Sequence, residues 1–480
     1  MKKTIMAAMF AFILLLPIKL AFCEEKLIII NLFEDERSRT AEAKMKEAYP
    51  GLQIEYRWVE DRYTLTTHFL SMDSEMDIVC FNEWDGIKGM YAAMEGALEN
   101  LADHPSLVSR RDEQFAVWKN YTVGGLWYGV PHTPYQSLVF LNEALFEKTG
   151  LPLPDTHWTW DDFWALARTL EEYNSTHQTR YALFMDSSKN SAAAQYAANT
   201  VDYLKNSHAF DDPAFYRMAE KWKELFDQGL IWDYMSNRNQ GGIYQESDTL
   251  MLYSENPLNA VLNFDWADTP WSRYGVRLLP QSDRLLPSMV LGFELAIPAA
   301  SLHKELAVQW LAYYMDAGKT EVLNNPLWAN PLYKGEEYVS AVKSAMRDAE
   351  IKEDSMEKLD LWFYGLEHSR LNPYNELQHA VTVKYWWQMR DGQITAQDYV
   401  DACVRFANQY LGEERDAIDA FGQDQGFDLL SENGAFLHSG FRFVCAVLDL
   451  SIRHYGLLQL CGKRVPAYLR GVKKLCVCLE

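Results

Sequence analysis

The chain of 480 residues has few cysteines, an excess of acidic over basic side chains and a single long apolar run. Its seven cysteines are too few and too unevenly spread for the disulfide framework of a small secreted domain. The 45 Lys and Arg against 67 Asp and Glu give a net charge of −22, which argues against nucleic acid as a partner. There is no internal repeat and no Gly/Ser- or Pro-rich linker. Any domains must therefore be joined by short, structured crossovers.

The apolar run lies at the N terminus. A Met-Lys-Lys start precedes apolar residues 5–18, and small residues followed by acids come next. This pattern predicts a secretory signal over residues 1–23 and a periplasmic or extracellular location. Cys23 leaves two interpretations open. Cleavage can follow it, or Leu-Ala-Phe-Cys is a lipoprotein box with Cys23 lipidated, although Phe22 stands where that box has a small residue.

No later stretch approaches the about 20 apolar residues that cross a bilayer. We therefore expect a mature protein that is soluble or tethered at one end.

Apolar, β-rich runs alternate with helical patterns near the start of the chain. The runs predict strands at 27–33, 52–59 and 76–81, with helices at 38–48 and 90–95. This alternation is typical of an α/β domain with a mainly parallel sheet covered on both faces.

Helices dominate the middle of the chain. Thr159 and Asp162 have the spacing of a capping box before a helix with one apolar face. A second amphipathic helix ends at Gly229. Further elements are predicted as short strands at 250–253 and 294–297 and helices at 305–314 and 396–412.

Four segments resemble, in order, the extracellular solute-binding proteins that serve ABC sugar importers, the family of maltose-binding protein. The most specific is the second, which reads G-L-W-Y-G-V-P at 125–131, L-F-E-K-T-G at 145–150 and W-T-W-D-D-F at 158–163. The others are supportive and lie at 76–101, 274–307 and 396–412.

The resemblance implies a type II periplasmic-binding-protein-like α/β fold of two lobes, with a carbohydrate held between them for delivery to importer subunits in the membrane. Lobe 1 would comprise residues 24–132 and 290–330, and lobe 2 residues 133–289 and 331–430. Hinge crossovers are expected near 131–137, 287–292 and 328–333. Such a protein is expected to be a monomer with no catalytic residue, no metal and no cofactor.

Candidate ligand-binding residues follow the predicted strands or lie on the crossovers, because α/β sheets bind ligands at the carboxyl ends of their strands. They are Glu34, Asp35, Asn82, Glu83, Trp84, Asp85, His132, Tyr135, Gln136, Asp186, Tyr253, Glu255, Asn256, Gly292, Phe293, Glu294, Trp328 and Asn330. Trp84 beside Asp85 is the preferred pair, a plate for a sugar ring next to a hydroxyl acceptor, and core packing is the competing interpretation of Trp84. The scarcity of Lys and Arg in this set favours a neutral sugar.

Two other functions use similar residues. A glycosidase needs two carboxylates flanking the scissile bond, and no such pair is marked in the sequence. A sensory sugar-binding protein would share the fold and differ in its membrane partner.

The end of the chain, residues 431–480, differs in composition. From residue 436 onward it carries seven Lys or Arg against two acids, together with four cysteines. An appendage on lobe 2, a metal or redox module and a segment foreign to the fold all remain open interpretations.

Overall fold

The computed structural model describes residues 26–59, 75–81, 88–186, 191–233, 248–256, 275–326, 332–348, 354–371 and 376–425. The predicted signal with Cys23 and the tail at 431–480 lie outside these ranges. Within them, no helix combines the length and the apolar character that crossing a bilayer requires.

The described strands are β1 (Lys26–Ile30), β2 (Gln53–Arg57), β3 (Ile78–Phe81), β4 (Thr122–Val123), β5 (Leu126–Trp127), β6 (Val130–Leu141), β7 (Ala182–Asp186), β8 (Ile231–Asp233), β9 (Thr249–Asn256), β10 (Gly275–Leu278), β11 (Ser288–Ala296) and β12 (Ser369–Leu371).

The described α-helices are α1 (Glu36–Ala48), α2 (Lys88–Met94), α3 (Pro105–Arg111), α4 (Glu143–Thr149), α5 (Trp160–His177), α6 (Ser191–Thr200), α7 (Pro213–Asp227), α8 (Lys304–Asn324), α9 (Glu336–Asp348), α10 (Asp354–Glu367), α11 (Glu376–His379), α12 (Tyr385–Arg390) and α13 (Ala396–Gln425). Short 3₁₀ turns lie at Leu101–Asp103 and Ala116–Tyr121, and a π-helical turn at Ala380–Lys384 joins α11 to α12.

One mixed sheet runs through the described chain in the order β2-β1-β3-β11-β6-β9-β7-β8, with β10 beside β6 and β12 beside β11. Strands β1, β2 and β3 pair in parallel, as do β7, β8 and β9. The pairs of β11 with β3 and of β6 with β11, β9 and β10 are antiparallel. The prediction of a mainly parallel sheet is therefore wrong for the centre, where the two long strands β6 and β11 join the parallel groups.

The hydrophobic core divides on either side of these long strands. One part packs β1 and β3 against α1 and α8, with Trp127 and Trp310 fully enclosed. Another packs α5, α7 and α13 against β7 and β9. In that second part Phe163 stacks on Trp222, with ring centroids 5.4 Å apart, and Trp160 and Trp164 surround the pair. Much of the aromatic content therefore serves packing.

Asp77 fixes the start of β3 relative to its surroundings. This buried carboxylate accepts hydrogen bonds from the Ile28 amide at 2.8 Å and from the Ser301 hydroxyl at 2.7 Å. It also lies 3.2 Å from Nδ1 of His303, the residue that precedes α8. One side chain thus ties β1, β3 and the entry to α8.

Several predicted local signals are confirmed. Thr159 and Asp162 form a reciprocal capping box on α5, and Gly229 takes φ +71° just after α7. Several predicted boundaries are wrong. The helices expected at 305–314 and 396–412 extend to Asn324 and Gln425. The strand expected at 27–33 ends at Ile30 because Asn31 turns into the left-handed region at φ +59°, and the short strand expected at 294–297 is the end of β11.

Candidate ligand-binding site

The carboxyl ends of strands from the two parts of the sheet face each other across β6. In the register, Phe81 at the end of β3 opposes Glu294, which opposes Pro131, whereas Asn256 at the end of β9 opposes Gln136. Strand β3 points in the same direction as β6 and β9 in the opposite direction, so the two ends point toward one another. Five positions of β6 separate them, on the order of 15 Å of strand.

A β-bulge interrupts β6 between these two ends. Phe293 pairs with Thr133 and Glu294 with Pro131, which leaves His132 as the extra residue. A bulge re-aims the side chain of its extra residue and bends the strand. His132 is thereby directed toward α1 and α8.

The His132 ring joins a polar cluster formed by Asp35, Arg37, Tyr314 and Glu321. Tyr314 hydrogen-bonds through its hydroxyl to Nδ1 of His132, and the same hydroxyl lies 3.3 Å from Oδ2 of Asp35. Arg37 donates to the His132 carbonyl at 3.1 Å and forms an ion pair with Glu321. The cluster therefore fixes both the ring and the backbone of the bulge.

Charge states in this cluster follow from burial. Desolvation by burial, aided by the Arg37 charge and opposed by Asp35, lowers the pKa of His132 to about 4. Burial, with the Asp35 charge, raises the pKa of Tyr314 well above its usual value. At neutral pH the imidazole and the phenol are therefore both uncharged, between an acid and a cation.

Asp35 and Glu34, predicted as ligand-binding residues, differ in surroundings. Asp35 caps α1, because its side chain accepts from the Ser38 amide at 2.7 Å, and the Ser38 hydroxyl lies 2.8 Å from the Asp35 amide. About a third of the Asp35 side chain stays accessible. Glu34 is exposed beside it. Both carboxylates lie at the carboxyl end of β1, as predicted.

Gln136 and Tyr253 were also predicted to face ligand, and the structure places both side chains in the core. Gln136 is fully buried and its Nε2 donates to the Trp362 carbonyl at 2.8 Å. The Tyr253 hydroxyl lies 3.1 Å from that of Ser137 and the ring is 1% exposed. In this conformation these two side chains hold β6 against α10 and β9. The reason is the period of two along a strand, which turns alternate residues inward.

Glu294 is a buried carboxylate, 1% exposed, in the part of the core that holds Tyr121 and Tyr128. Burial and then the Glu294 charge raise the pKa of both tyrosines well above the usual value. Gly129 makes room for it, since a Cβ there would lie 3.1 Å from Cβ and Cγ of Glu294. Gly129 is the second glycine of the G-L-W-Y-G-V-P segment, so its packing role accounts for part of that motif.

An exposed aromatic pair occupies the same edge of the sheet. Phe33, 70% exposed, follows β1, and Trp58, 50% exposed, follows β2. Their ring centroids are 4.5 Å apart at an interplanar angle of 40°.

The other candidates are only partly described. Tyr135 is half-buried on β6 opposite Leu291, and Asp186, Glu255, Asn256, Gly292 and Phe293 are placed by their strands alone. Asn82, Glu83, Trp84, Asp85, Trp328 and Asn330 lie outside the described residues. Among the described residues, no group of His, Cys, Asp and Glu is arranged to hold a metal ion.

Sequence reasoning missed Arg37, Tyr314 and Glu321, and also the Phe33–Trp58 pair. The sequence placed both rings at the ends of predicted strands, Phe33 in 27–33 and Trp58 in 52–59, but gave no sign that they would be exposed together. Arg37 and Tyr314 carry no local signal, because their partners are distant in sequence. His132 and Tyr314, for example, are 182 positions apart.

Residues 34–321 match the sequence model of a protein family that is described as bacterial extracellular solute-binding protein. No curated protein sequence matches the chain.

Solved structures with the same fold cover most of the chain. A cyclic α-maltosyl-1,6-maltose binding protein from Arthrobacter globiformis is 15% identical, with a TM-score of 0.58 over 80% of this chain and 98% of its own. A sugar transporter structure from Rhizobium etli, in an open conformation, is 14% identical, with a TM-score of 0.58 over 80% and 99%. An ABC transporter solute-binding protein from Thermotoga lettingae, bound with α-D-tagatose, is 20% identical, with a TM-score of 0.54 over 81% and 100%.

These matches confirm the resemblance and the predicted two-lobed α/β fold of the type II periplasmic-binding proteins. The matched family is defined by solute binding outside the cytoplasm rather than by a catalysed reaction. The glycosidase alternative loses its support for this reason.

Proposed function

The chain belongs to the family of bacterial extracellular solute-binding proteins, and from this we propose that it is the substrate-binding component of an ABC importer for a neutral mono- or oligosaccharide. The sugar binds where strand ends from the two lobes face each other, and the closed protein presents it to the membrane subunits of the importer. Structural relatives described as sugar transporter and maltosyl-maltose binding proteins support this assignment.

The observation that carries the proposal is the pair of opposed strand ends at Phe81 and Asn256, with residues 132–135 of β6 between them. The two strand ends point at this stretch of β6 from opposite directions, so a solute bound there contacts both lobes at once. The spacing on the order of 15 Å suits a short oligosaccharide better than a single ion.

The lobe boundaries remain a proposal. We assign residues 24–132 and 290–330 to lobe 1 and residues 133–289 and 331–430 to lobe 2. The distribution of core residues supports this division, because β1, β3 and α8 share one part of the core and α5, α7 and α13 share another. Strands β6 and β11 contain the first two crossovers, and bending there closes the lobes.

The carbohydrate assignment is supported by the chemistry at the strand ends. Exposed and half-exposed carboxylates at Glu34 and Asp35 are acceptors for hydroxyl groups, and these acids disfavour an anionic solute. Trp84 beside Asp85 stays the proposed plate and acceptor that follow β3. Replacing Trp84 with alanine is expected to cost about 1–3 kcal/mol of sugar binding, measured by calorimetry. An unchanged affinity would remove Trp84 from the site.

Thermal-shift screening tests the function directly, because a solute that binds the native state raises Tm by mass action. The panel is glucose, mannitol, tagatose, maltose, maltotriose, cellotriose and xylotriose, with glucose 6-phosphate as the anionic control. We expect at least one neutral sugar to raise Tm and glucose 6-phosphate to have no effect. A panel without any shift contradicts the carbohydrate proposal.

Two further assays separate the competing functions. Sugars that bind are incubated with the protein and analysed for cleavage, and turnover would indicate a glycosidase. Stimulation of importer ATPase activity by the sugar-loaded protein distinguishes transport from sensing.

Export through a signal at residues 1–23 is also proposed, with Cys23 as the site of a possible lipid anchor. Metabolic labelling with a radioactive fatty acid tests the anchor, with a Cys23→Ser variant as control. Label on the mature wild-type protein that the variant loses supports lipidation, and an unlabelled protein supports cleavage alone.

A further inference from the structure

The exposed ring pair of Phe33 and Trp58 is held by a specific local structure. Asn31, at φ +59°, donates its amide to the Arg57 carbonyl at 2.9 Å, and its side-chain oxygen accepts from the Val59 amide at 2.7 Å. The two partners of Asn31 are the residues directly before and after Trp58. These hydrogen bonds therefore hold the end of β2 beside the turn that follows β1. The backbone that carries Trp58 is therefore fixed beside Phe33, while both side chains stay largely exposed.

Among the described large apolar residues, Phe33 and Trp58 are the two most exposed aromatic ones. With 70% of Phe33 and 50% of Trp58 exposed, much of the apolar surface of both rings stays in contact with water, which is unfavourable in the protein alone.

The surrounding charges define what the pair accepts. Glu34 and Glu36 are exposed next to Phe33, while Arg57 beside Trp58 is engaged by Glu55 and Glu75. An aromatic surface edged by carboxylates suits an uncharged ring that has an apolar face and hydroxyl donors, and it repels anions.

Its position relative to the proposed sugar site follows from the sheet. The pair lies at the carboxyl ends of β1 and β2, the edge at which β3 faces β9. Strand β2 is two positions from β3, about 10 Å to the side. The pair is therefore an outer neighbour of the proposed site and not its centre.

From this geometry we infer that Phe33 and Trp58 form a distal sugar-stacking subsite, which binds the outer ring of an oligosaccharide whose inner rings occupy the space between the lobes. The inference rests on the proposed function. It adds a preference for chain length, because a monosaccharide in the central site does not reach the pair.

The experiment titrates wild type, Phe33→Ala, Trp58→Ala and the double variant calorimetrically with every sugar of the neutral panel. Trp387→Ala is the matched control, since Trp387 is an exposed tryptophan on α12, a helix that packs through Trp386 on the other part of the core. Trp58→Phe keeps an aromatic plate. Thermal unfolding without sugar checks that each variant is folded.

We expect the Phe33 and Trp58 alanine variants to bind the trisaccharides about tenfold or more weakly, which is the scale of one lost stacking contact. Their affinity for a bound monosaccharide should change less than about twofold, and Trp58→Phe and Trp387→Ala should resemble wild type. Equal losses for short and long sugars, or no loss, overturn the subsite.

A failure of the proposed function can be distinguished from a failure of the subsite. If wild type binds no panel sugar, the carbohydrate assignment falls and the subsite falls with it. If wild type binds sugars and the variants bind them equally well, only the subsite is wrong. Variants that bind sugar normally but stimulate importer ATPase less would reassign the ring pair to the importer contact and also overturn the subsite.

Discussion

Tyr314 hydrogen-bonds through its hydroxyl to Nδ1 of His132, and this contact joins helix α8 to the bulged position of β6. The phenol has one proton, so when it donates to Asp35, 3.3 Å away, its oxygen accepts from His132. A strand that passes between the two proposed lobes is thereby anchored to one of them. We therefore expect any hinge in this crossover to begin after residue 132.

Because of His132, the free energy of unfolding should decrease as the pH is lowered. Its pKa is about 4 in the folded protein and about 6.5 in an unfolded chain, so between these values the unfolded state binds more protons. The unfolding free energy therefore decreases as pH drops from about 6.5 toward 4, by up to about 1.4 kcal/mol per pH unit from this group. Urea unfolding at several pH values measures the slope.

The matched comparison for this effect removes His132 alone. His132→Gln should flatten the slope between pH 4.5 and 6.5 relative to wild type. Parallel slopes for wild type and His132→Gln would show that His132 titrates normally.

Gly365 on α10 should not tolerate a side chain. A Cβ there would meet the buried Gln136 side chain, within 2.8 Å of its Cδ, so Gly365→Ala should destabilise the protein by about 1–3 kcal/mol. Gly412→Ala is the control, because nothing lies within 4 Å of its added Cβ and alanine favours the helix. Thermal unfolding should show a lower Tm for the first and an equal or higher Tm for the second.

A double-mutant cycle identifies the cause. Adding Gln136→Ala to Gly365→Ala removes the clash, so the pair should cost less than the sum of the single changes. Strict additivity would mean that the glycine is needed for another reason.

Asp77→Ala should lower stability by about 2–4 kcal/mol, because it leaves the buried Ile28 amide and the Ser301 hydroxyl without their acceptor. Asp283→Ala removes an exposed loop carboxylate and should change stability by less than about 0.5 kcal/mol. Urea denaturation of both variants provides the measurement. A loss under about 1 kcal/mol for Asp77→Ala would contradict the role given to this carboxylate.

Two substitutions of Asn31 separate the contribution of its backbone conformation to stability from that of its side-chain hydrogen bond. Alanine at φ +59° adds about 1–2 kcal/mol of conformational cost to the lost bond with Val59, whereas glycine loses the bond alone. Asn31→Ala should therefore be less stable than Asn31→Gly in chemical denaturation. The reverse order would show that the left-handed conformation is not maintained.

The sequence predicts best those features that are set within a few residues. The capping box of Thr159 and Asp162, and the glycine that follows α7, depend on local chemistry and were recognised from spacing. The mixed sheet was not, because β6 and β11 pair with strands far away in the chain. Alternation of apolar residues gives a strand but neither its neighbour nor its direction.

In the candidate site, too, individual residues could be predicted from the sequence but their long-range contacts could not. Asp35 and His132 were chosen one by one, yet their association depends on Arg37 and Tyr314, which the tertiary fold brings in. The aromatic excess was a weaker guide than it looked, since Trp160, Trp222 and their neighbours fill the core. Which rings remain in water is a property of the folded surface.

The order of strands in the sheet has a practical consequence for anyone who wishes to divide this protein. Strand β11, near residue 290, inserts between β3 and β6, which come from the first third of the chain. No single cut in the gene separates the described strands into the two halves β2-β1-β3-β11 and β6-β9-β7-β8, because β11 follows β9 in the chain. Circularly permuted or split versions of the protein therefore need two or more new chain junctions. A transcript that ends before β11 would leave β3 and β6 as open sheet edges prone to self-association.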